Sequence, residues 1–493
     1  MSNFVEQKTQ LTSTEARMLH RTRALGLLLA FSLLAAGVFL PARGVVAEDS
    51  TNGSTIGAPV GIAVFVDGER LGVDVPPQLS NGRVLVPIRA LAQRLGAQVD
   101  WAASDQSIII SAKGLSLRFE VGSSRAWKNG QPVGLDQPPL IVGGRTLVPL
   151  RFVGENLGAS VQWVGEARSV LVNTGQSPDF SVVGYYVQYN AFDHEAYDTL
   201  VQQGDKIDYL VAFQYALEAD GSVNTTYDPA EMLQYAKRYG KQALALFHNI
   251  GPTGNFDQAV AHSLLSDPAA RHRAEENIYA ILSTKGYRGV NVDLENLDPQ
   301  DRDNYTGFLK ELQARLHPAG YLVTVSVPAK THDDPNAPWS GAFDYAAIGP
   351  VADQVLIMAY DEHYQFGVPG PVASLGWIRR VMDYASQMMP PRKLVLGIAA
   401  YGYDWPTDGS AARAVTSQQA LRDLTLRNSS PAWDYDAEVP VDQVGGHVRY
   451  FEDADSTAFK LQQVFQHHWA GVAIWRLGFE DPRLWPQLAA SKG

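Results

Sequence analysis

The sequence contains no cysteine, and this absence limits both how the protein is stabilised and which chemistry it performs. Among 493 residues there are 10 tryptophans, 21 tyrosines and 18 phenylalanines, but cysteine is missing altogether. Disulfide bridges, cysteine-ligated zinc, iron–sulfur clusters and thiol nucleophiles are therefore excluded. Hydrophobic residues at 45% and charged residues at 19% are ordinary for a globular chain. The length allows about three folded units.

Positive charge is scarce in the larger, C-terminal part of the chain. Residues 175–493 carry 24 basic and 39 acidic side chains, a net charge of −15. Residues 61–174 carry 11 basic and nine acidic side chains, a net charge of +2. A strongly acidic surface repels phosphate backbones, so we expect no nucleic-acid partner for the C-terminal part.

One long uncharged apolar run, residues 24–40, lies near the N-terminus. Arginines precede it, and a stretch of small residues that ends at Ala47 follows. This order is typical of a secretory signal, so residues 1–47 are predicted to direct export and residues 48–60 to form a linker. The alternative is an uncleaved membrane anchor, because 17 residues is the lower limit for spanning a bilayer.

An internal repeat defines residues 61–174, which we name the N-terminal module. GRVLVPIR at 82–89 recurs as GRTLVPLR at 144–151, an offset of 62. The same offset relates an Asp-Gly pair at 67 to an Asn-Gly pair at 129. Both pairs are strong hairpin signals, because the central turn positions need positive φ. Each copy is therefore predicted to form a small α+β unit, with a helix that follows the LVPxR segment.

The N-terminal module resembles the copper amine oxidase N-terminal-like stalk module of secreted bacterial proteins, mainly through its two LVPxR segments. Residues 61–174 contain neither histidine nor cysteine, so copper would lack its usual ligands there. Two interpretations remain open. The module is either a spacer or a part that adheres to the cell wall, whose anionic polymers suit a weakly positive surface.

Residues 178–493 alternate apolar strand-like runs with helical stretches. Continuous apolar strands separated by helices predict a parallel sheet. Eight such units fit a closed (β/α)8 barrel, the TIM barrel, better than an open doubly wound sheet. A small insertion is predicted at 406–456, between the last two strands. The eight runs are Val182–Tyr189, Tyr209–Tyr215, Gln242–His248, Gly289–Glu295, Tyr321–Val327, Gln354–Tyr360, Lys393–Tyr401 and Gly471–Trp475.

Three polar residues share one face of the fourth predicted strand. Side chains alternate along a strand, so Asn291, Asp293 and Glu295 point into the barrel together. Polar groups in a packed interior cost free energy unless they are paired or perform chemistry. Glu295 lies at the C-terminal end of the strand, where barrel enzymes place their catalytic groups. When two carboxyl groups lie close together, their repulsion moves their pKa values apart, so that one group holds its proton to a higher pH. The alternative is a buried polar network without a catalytic role.

Two further strand ends carry candidate residues. Met358 and Tyr360 face inward by the same alternation, and Asp361 follows them directly. Trp475 ends the eighth strand, where its flat ring would support a sugar, and Tyr401 follows the seventh strand. Taken alone, each of these residues is as well explained by core packing.

Together these segments resemble glycoside hydrolase family 18. The strand-four signature of that family is Asp-Gly-x-Asp-x-Asp-x-Glu, and residues 288–295 read RGVNVDLE. Its strand-six signature is Met-x-Tyr-Asp, and residues 358–361 read MAYD. Arg288 and Asn291 replace the first two aspartates of the signature. YDEHY, YFEDAD and IWRLG further resemble the spore-germination and cell-wall-lytic branch of the family.

The resemblance implies a retaining mechanism without metal or organic cofactor. Glu295 would protonate the glycosidic oxygen, and the substrate's own acetamido oxygen would attack the anomeric carbon. Asp293 would orient the acetamido N–H, and Tyr360 would bind the acetamido oxygen. The resemblance leaves Asn291 able to hydrogen-bond Asp293. Residues assigned to substrate binding are Asn291, Met358, Asp361, Tyr401 and Trp475.

The implied substrate is a polysaccharide with 2-acetamido sugars. Peptidoglycan and chitin-like glycans both fit, and the branch resemblance favours peptidoglycan. The implied location is outside a bacterial cell, either secreted or in the cell wall or envelope. The alternative function is a non-catalytic glycan-binding lectin that carries a stalk. Retention of Glu295 favours an enzyme, because a lectin needs no proton donor.

Overall fold

The computed structural model describes residues 61–492 except 103–104, 166, 175–179, 191 and 226. The predicted signal and first linker, residues 1–60, lie outside the described residues. Of the helices in the described part, none combines the length and apolar character needed to cross a membrane.

The N-terminal module consists of two copies of one small α+β unit. The predicted hairpin turns are present, with positive φ at Asp67 (50°), Gly68 (78°), Asn129 (50°) and Gly130 (80°). Its helices are α1 (Ile88–Arg94) and α2 (Leu150–Asn156). Its strands are β1 (Ala63–Val66), β2 (Glu69–Arg70), β3 (Gln78–Ser80), β4 (Arg83–Pro87), β5 (Gln98–Ala102), β6 (Ser107–Ala112), β7 (Leu115–Glu120), β8 (Arg125–Lys128), β9 (Gln131–Gly134), β10 (Leu140–Val142), β11 (Arg145–Pro149), β12 (Ser160–Val164) and β13 (Ser169–Asn173).

The two copies are joined in a reciprocal way. Strands β4 and β11, which carry the repeated LVP segments, pair antiparallel in a central sheet of order β10-β11-β4-β3. Arg83 of the first copy pairs with Asp136 of the second at 2.7 Å, and Arg145 pairs with Asp74 at 2.6 Å. Strand β1 also leaves its own copy and pairs parallel with β13 in the sheet β12-β13-β1-β2. Strands from the beginning and the end of the module are therefore paired in one sheet.

The C-terminal part contains all eight predicted barrel strands and an antiparallel sheet inserted after the seventh. Its strands are β14 (Ser181–Tyr186), β15 (Tyr209–Leu217), β16 (Val223–Thr225), β17 (Gln242–His248), β18 (Gly289–Asp293), β19 (Leu322–Pro328), β20 (Gln354–Met358), β21 (Leu394–Ala399), β22 (Tyr401–Pro406), β23 (Arg413–Thr416), β24 (Ala432–Asp434), β25 (Val439–Val444), β26 (His447–Phe451) and β27 (Gly471–Trp475). Its α-helices are α3 (Glu195–Gln203), α4 (Ala230–Tyr239), α5 (Gln258–Ser266), α6 (Pro268–Lys285), α7 (Arg302–Leu316), α8 (Tyr345–Ile348), α9 (Leu375–Met388), α10 (Ser417–Leu426), α11 (Ala454–Gln466) and α12 (Leu484–Ser491). Single 3-10 turns occur at Gly204–Lys206, Pro299–Asp301, His317–Ala319 and Pro391–Lys393.

The barrel is closed, as the sequence predicts. Eight parallel strands run in the order β14-β15-β17-β18-β19-β20-β21-β27, and β27 pairs with β14 to complete the ring. Most of these strands are buried along their whole length, because helices cover the outside and side chains fill the inside. The carboxyl ends of all eight strands therefore meet at one mouth.

The insertion begins earlier in the chain than the predicted 406–456. Strand β22 starts at Tyr401, directly after β21, and pairs with β26 instead of extending the barrel. With β23, β24 and β25 it forms a five-stranded antiparallel sheet of order β23-β22-β26-β25-β24. The sheet stands beside the barrel mouth and brings the residues of β22 towards it.

The N-terminal module packs against the barrel through an apolar interface. Val164 and Leu171, from the sheet that contains β12 and β13, are 0% and 1% exposed and contact Phe459 of α11. The ring of Phe65 meets that of Phe459 edge-on, with centroids 5.5 Å apart. Arg379 of α9 donates a 2.7 Å hydrogen bond to the carbonyl oxygen of Gly68. The module is therefore docked on the outside of the barrel.

We expect Phe459→Ala to destabilise the protein by about 3–5 kcal/mol, the usual result of removing a buried aromatic ring. Its ring fills the interface between Phe65 and Trp433, so the substitution leaves a cavity at the contact of the two parts. The change is measured as a lower urea midpoint of unfolding. Leu426→Ala is the matched control, because that side chain is 79% exposed. Equal midpoints for both variants would show that the interface contributes no stability.

Candidate active site

A cleft of about 320 Å³ opens at the mouth of the barrel. Its lining combines carboxyl groups with many aromatic rings. Six of the eight predicted site residues line it: Asp293, Glu295, Met358, Tyr360, Asp361 and Trp475. Spacing along separate strands therefore correctly predicted that these residues meet, because parallel strands bring their carboxyl ends together.

Asp293 and Glu295 form a buried acidic pair at the end of β18. Asp293 is the last residue of the strand and is 3% exposed, whereas Glu295 lies just beyond it and is partly buried. Burial raises the pKa of both carboxyl groups, because the charged forms lose their solvation. Repulsion from Asp293 and Asp361 raises the pKa of Glu295 further. The cleft therefore favours the protonated form of Glu295.

Two buried polar atoms of the cleft have no hydrogen-bond partner among the described residues. They are Oδ1 of Asp293, an acceptor, and Nε1 of Trp475, a donor. Leaving a buried polar atom unpaired costs about 1–3 kcal/mol. A ligand with an N–H group over Asp293 and an acceptor near Trp475 would recover that free energy.

Asp361 is held by two tyrosine hydroxyl groups. Tyr401 and Tyr403, both on β22, donate to Oδ1 of Asp361 at 2.6 and 2.8 Å. Burial raises the pKa of Asp361 to about 6, while the two hydroxyl donors lower it. Asp361 also has φ of 62°, an uncommon backbone conformation that asparagine and aspartate tolerate best. Tyr401 therefore acts through Asp361 and does not line the cleft, whereas Tyr403 does both.

Asn291 lies beneath the cleft and does not line it. It is 0% exposed, and its amide donates to Thr324 Oγ1 at 3.0 Å. Its carbonyl oxygen accepts from Ser326 Oγ at 2.9 Å, and Ser326 in turn contacts the hydroxyl of Tyr185 at 2.8 Å. Both ends of the amide are thus occupied by hydroxyl groups of β19, so the expected hydrogen bond to Asp293 is replaced. This placement follows from strand pairing, which sets Asn291 beside Thr324.

The backbone of Glu295 is clamped by a residue that the sequence did not reveal. Asn249, fully buried after β17, accepts a 2.9 Å hydrogen bond from the Glu295 N–H. Its amide donates to the Glu295 carbonyl oxygen at 2.9 Å and to that of Asp257 at 3.1 Å. The next residue, Asn296, has φ of 52° and donates to Phe256 O at 3.1 Å. These bonds fix where the Glu295 side chain begins.

Aromatic rings build the floor and walls of the cleft. Tyr185 and Phe213 meet Trp475 edge-on, with centroids 5.1 and 5.3 Å apart, so the indole is held in one orientation. The walls include Trp339 and Trp377, which come from segments after β19 and β20. Neither tryptophan was predicted, because each lies well beyond its strand, where no alternation marks direction.

No group of three or more histidine, cysteine, aspartate or glutamate side chains in the described part is arranged to hold a metal ion. The N-terminal module has neither histidine nor cysteine, so its residues do not fit the copper suggested by the name of the resembling family.

Comparison with known families divides the chain in two. The model described as glycosyl hydrolases family 18 matches residues 181–480, which is more than half of the chain. The model described as copper amine oxidase N-terminal domain matches residues 65–172.

Several similar proteins come from Bacillus species. A Bacillus subtilis (strain 168) protein, provisionally named the sporulation-specific glycosylase YdhD, is 32% identical over 348 residues, covering 68% of this chain and 81% of that protein. The cortical fragment-lytic enzyme of the same organism is 30% identical over 290 residues, covering 57% and 67%. The crystal structure of the Bacillus cereus spore cortex-lytic enzyme SleL superposes with a TM-score of 0.59 at 26% identity, covering 64% and 74%.

We expect Asn249→Ala to lower kcat about 100-fold with little change in KM, because a catalytic group displaced by about 1 Å loses that much. The reason is loss of the clamp on the Glu295 backbone, while the cleft walls stay intact. Steady-state kinetics on a soluble oligosaccharide measures both constants. Asn336→Ala, at an exposed position, is the matched control. An unchanged kcat, or an effect on KM alone, would contradict the positioning role.

We expect Tyr403→Phe to raise the pKa of Asp361 above 6, by roughly one pH unit, because one charge-stabilising donor is lost. The ionised fraction of Asp361 near pH 6 should therefore fall. Carbon-13 NMR titration of labelled aspartate side chains measures the shift. Tyr239→Phe, at a ring that is 53% exposed, should leave the titration unchanged. A lower pKa in Tyr403→Phe would overturn this account of Asp361.

Proposed function

Because the chain belongs to family 18 of the glycosyl hydrolases, we propose that it is a retaining, substrate-assisted glycosidase that cleaves peptidoglycan at β-linked N-acetylglucosamine. The observation that carries the proposal is the buried, unpaired Oδ1 of Asp293 in the same cleft as Glu295 and Tyr360. A 2-acetamido sugar offers the N–H group that this oxygen lacks.

Glu295 is the proton donor of the proposed reaction. Burial raises the pKa of its carboxyl group well above the ordinary value, which favours the protonated form that a general acid requires. The proton passes to the glycosidic oxygen as the bond to the anomeric carbon breaks. The resulting carboxylate then takes a proton from the water that completes hydrolysis.

The nucleophile is the acetamido oxygen of the substrate itself. Asp293 accepts the acetamido N–H, which aligns the group and stabilises the positive charge that develops on it. The hydroxyl of Tyr360 donates to the acetamido oxygen before attack, and its pKa is raised by burial, so it remains a donor. The acetamido oxygen and then water each attack the anomeric carbon and invert it. Because the two inversions cancel, the product keeps its anomeric configuration.

Asn291 affects how the acidic pair of this chain titrates. Its amide carries no titratable proton, and its two ends are held by Thr324 and Ser326. The titrating carboxyl groups among the predicted site residues are therefore Asp293, Glu295 and Asp361. Asp361 accepts a hydrogen bond from a hydroxyl group of the bound sugar. Trp475 and Met358 form the apolar surface beneath the sugar ring.

Peptidoglycan is favoured over chitin by the kind of relative that the chain matches. A cortical fragment-lytic enzyme and a sporulation glycosylase are among them. We propose a location outside a bacterial cell, secreted or held in the wall or envelope, on the basis of the N-terminal apolar run. Contact with the membrane is expected only where that run is not cleaved.

The decisive variant is Glu295→Gln, which keeps the shape of the side chain but cannot donate a proton. We expect hydrolysis of purified peptidoglycan and of chitin oligomers to fall at least 1,000-fold, with binding retained. Mass spectrometry identifies the products, and proton NMR of the first product formed reports its anomeric configuration. Glu231→Gln, at an exposed carboxylate on α4, is the matched control.

Three results would contradict the proposal. Equal hydrolysis by wild type and Glu295→Gln would remove Glu295 from the reaction. Inverted product would exclude the acetamido nucleophile. Binding without any hydrolysis by the wild type would favour a glycan-binding lectin.

A further inference from the structure

The exposed apolar side chains of the N-terminal module follow its internal repeat. Four large hydrophobic side chains are exposed in the described part of the module: Leu79 (56%), Trp101 (44%), Ile141 (51%) and Trp163 (39%). The offset of 62 relates Leu79 to Ile141 and Trp101 to Trp163. Exposure of these side chains is therefore a property of both copies.

The two copies have diverged at most surface positions, which makes this agreement informative. Only four charged or aromatic positions are identical in both: Asp74 and Asp136, Arg83 and Arg145, Arg89 and Arg151, and Trp101 and Trp163. The first two sets form the reciprocal ion pairs between the copies. The tryptophans each leave a large apolar area in water, 44% of Trp101 and 39% of Trp163, which packing alone does not require.

A groove of about 340 Å³ is lined by Leu79 and Trp163, one from each repeat-related pair of exposed side chains. Leu79 and Arg83 of the first copy form one side, and Arg151 and Trp163 of the second copy form the other. About half of each arginine side chain is exposed, 49% for Arg83 and 54% for Arg151. The groove thus combines a flat aromatic ring with two half-exposed guanidinium groups, which also form ion pairs with Asp136 and Glu155.

The groove stays open when the module packs on the barrel. Trp163 and Val170 are cross-strand partners on one face of the sheet formed by β12 and β13. Val164 and Leu171 point from the opposite face, the one that contacts the barrel. The same sheet therefore docks with one face and displays the groove on the other.

We propose that this groove binds carboxylate-bearing glycan strands of peptidoglycan, and that the repeat-related Trp101 provides a second stacking ring. Sugar rings stack on indole faces, and the exposed N–H groups of Arg83 and Arg151 donate hydrogen bonds to carboxylates of the lactyl and peptide substituents. The charge distribution supports this occupant. Residues 61–174 have a net charge of +2, whereas residues 175–493 have −15 and repel an anionic polymer.

Two stacking rings on one module would hold a long polymer much better than one ring. Once one tryptophan is stacked on the strand, the other meets the same strand at a high effective concentration. Each tryptophan alone is expected to bind weakly. This role is separate from hydrolysis in the cleft and does not depend on it.

The test measures binding of full-length protein to purified peptidoglycan sacculi from which teichoic acids have been removed. A Glu295→Gln background leaves the polymer uncut, and excess soluble oligosaccharide occupies the cleft. We expect Trp101→Ala with Trp163→Ala to weaken binding at least tenfold, and each single variant to weaken it less. Replacing both tryptophans with phenylalanine should restore most of the affinity, because a flat ring is retained.

Leu79 gives a pair of variants that remove no buried group. We expect Leu79→Glu to weaken binding by placing a negative charge beside Arg83, and Leu79→Lys to retain it. In an otherwise wild-type chain, kcat/KM on a soluble oligosaccharide should be the same for both. Tyr239→Ala, at an exposed ring on α4, controls for general loss of aromatic surface.

Several outcomes would overturn the proposal. Unchanged binding by the double tryptophan variant would show that the two tryptophans bind no glycan. Binding only to sacculi that retain teichoic acid would show that the module binds a phosphate polymer instead. Concentration-dependent dimers that disappear in the double variant, seen by light scattering, would instead make this face a contact between two copies.

Discussion

The chemistry of the barrel mouth depends on keeping two carboxyl groups out of water. Asp293 ends a strand that is paired on both sides, and Glu295 lies two residues further on, where it lines the cleft. Burial opposes ionisation of both carboxyl groups and raises the pKa of Glu295 well above its ordinary value. An exposed glutamic acid with its ordinary pKa of 4.5 would be ionised at neutral pH and could donate nothing.

Around this pair, residues that never touch the cleft decide the orientation of those that do. Asn249 holds the backbone of Glu295, and Tyr401 holds the carboxylate of Asp361. Asn291 is occupied by hydroxyl groups of the next strand, and Oδ1 of Asp293 has no hydrogen-bond partner among the described residues. The aromatic floor restrains the indole of Trp475 in a comparable way. Rigid support of this kind is what lets charged groups act without reorganising.

The two parts of the chain divide physical tasks between them. The barrel is acidic and carries the reacting groups, while the N-terminal module is weakly basic and uses the two faces of one sheet differently. Its apolar face is buried on α9 and α11, and α9 also supplies Trp377 to the cleft wall. Packing of the module is therefore continuous with the structure that shapes the cleft.

The sequence by itself determined the barrel, the repeat and most of the cleft, because each depends on local periodicity or on the fixed meeting point of parallel strand ends. Asp293, Tyr360 and Trp475 were placed together on that basis. Only the tertiary structure decided that Asn249 clamps Glu295, that Asn291 turns to its neighbouring strand, and that the module docks. Those contacts join residues far apart in the chain, and no local pattern records which buried amide or apolar face will meet which partner.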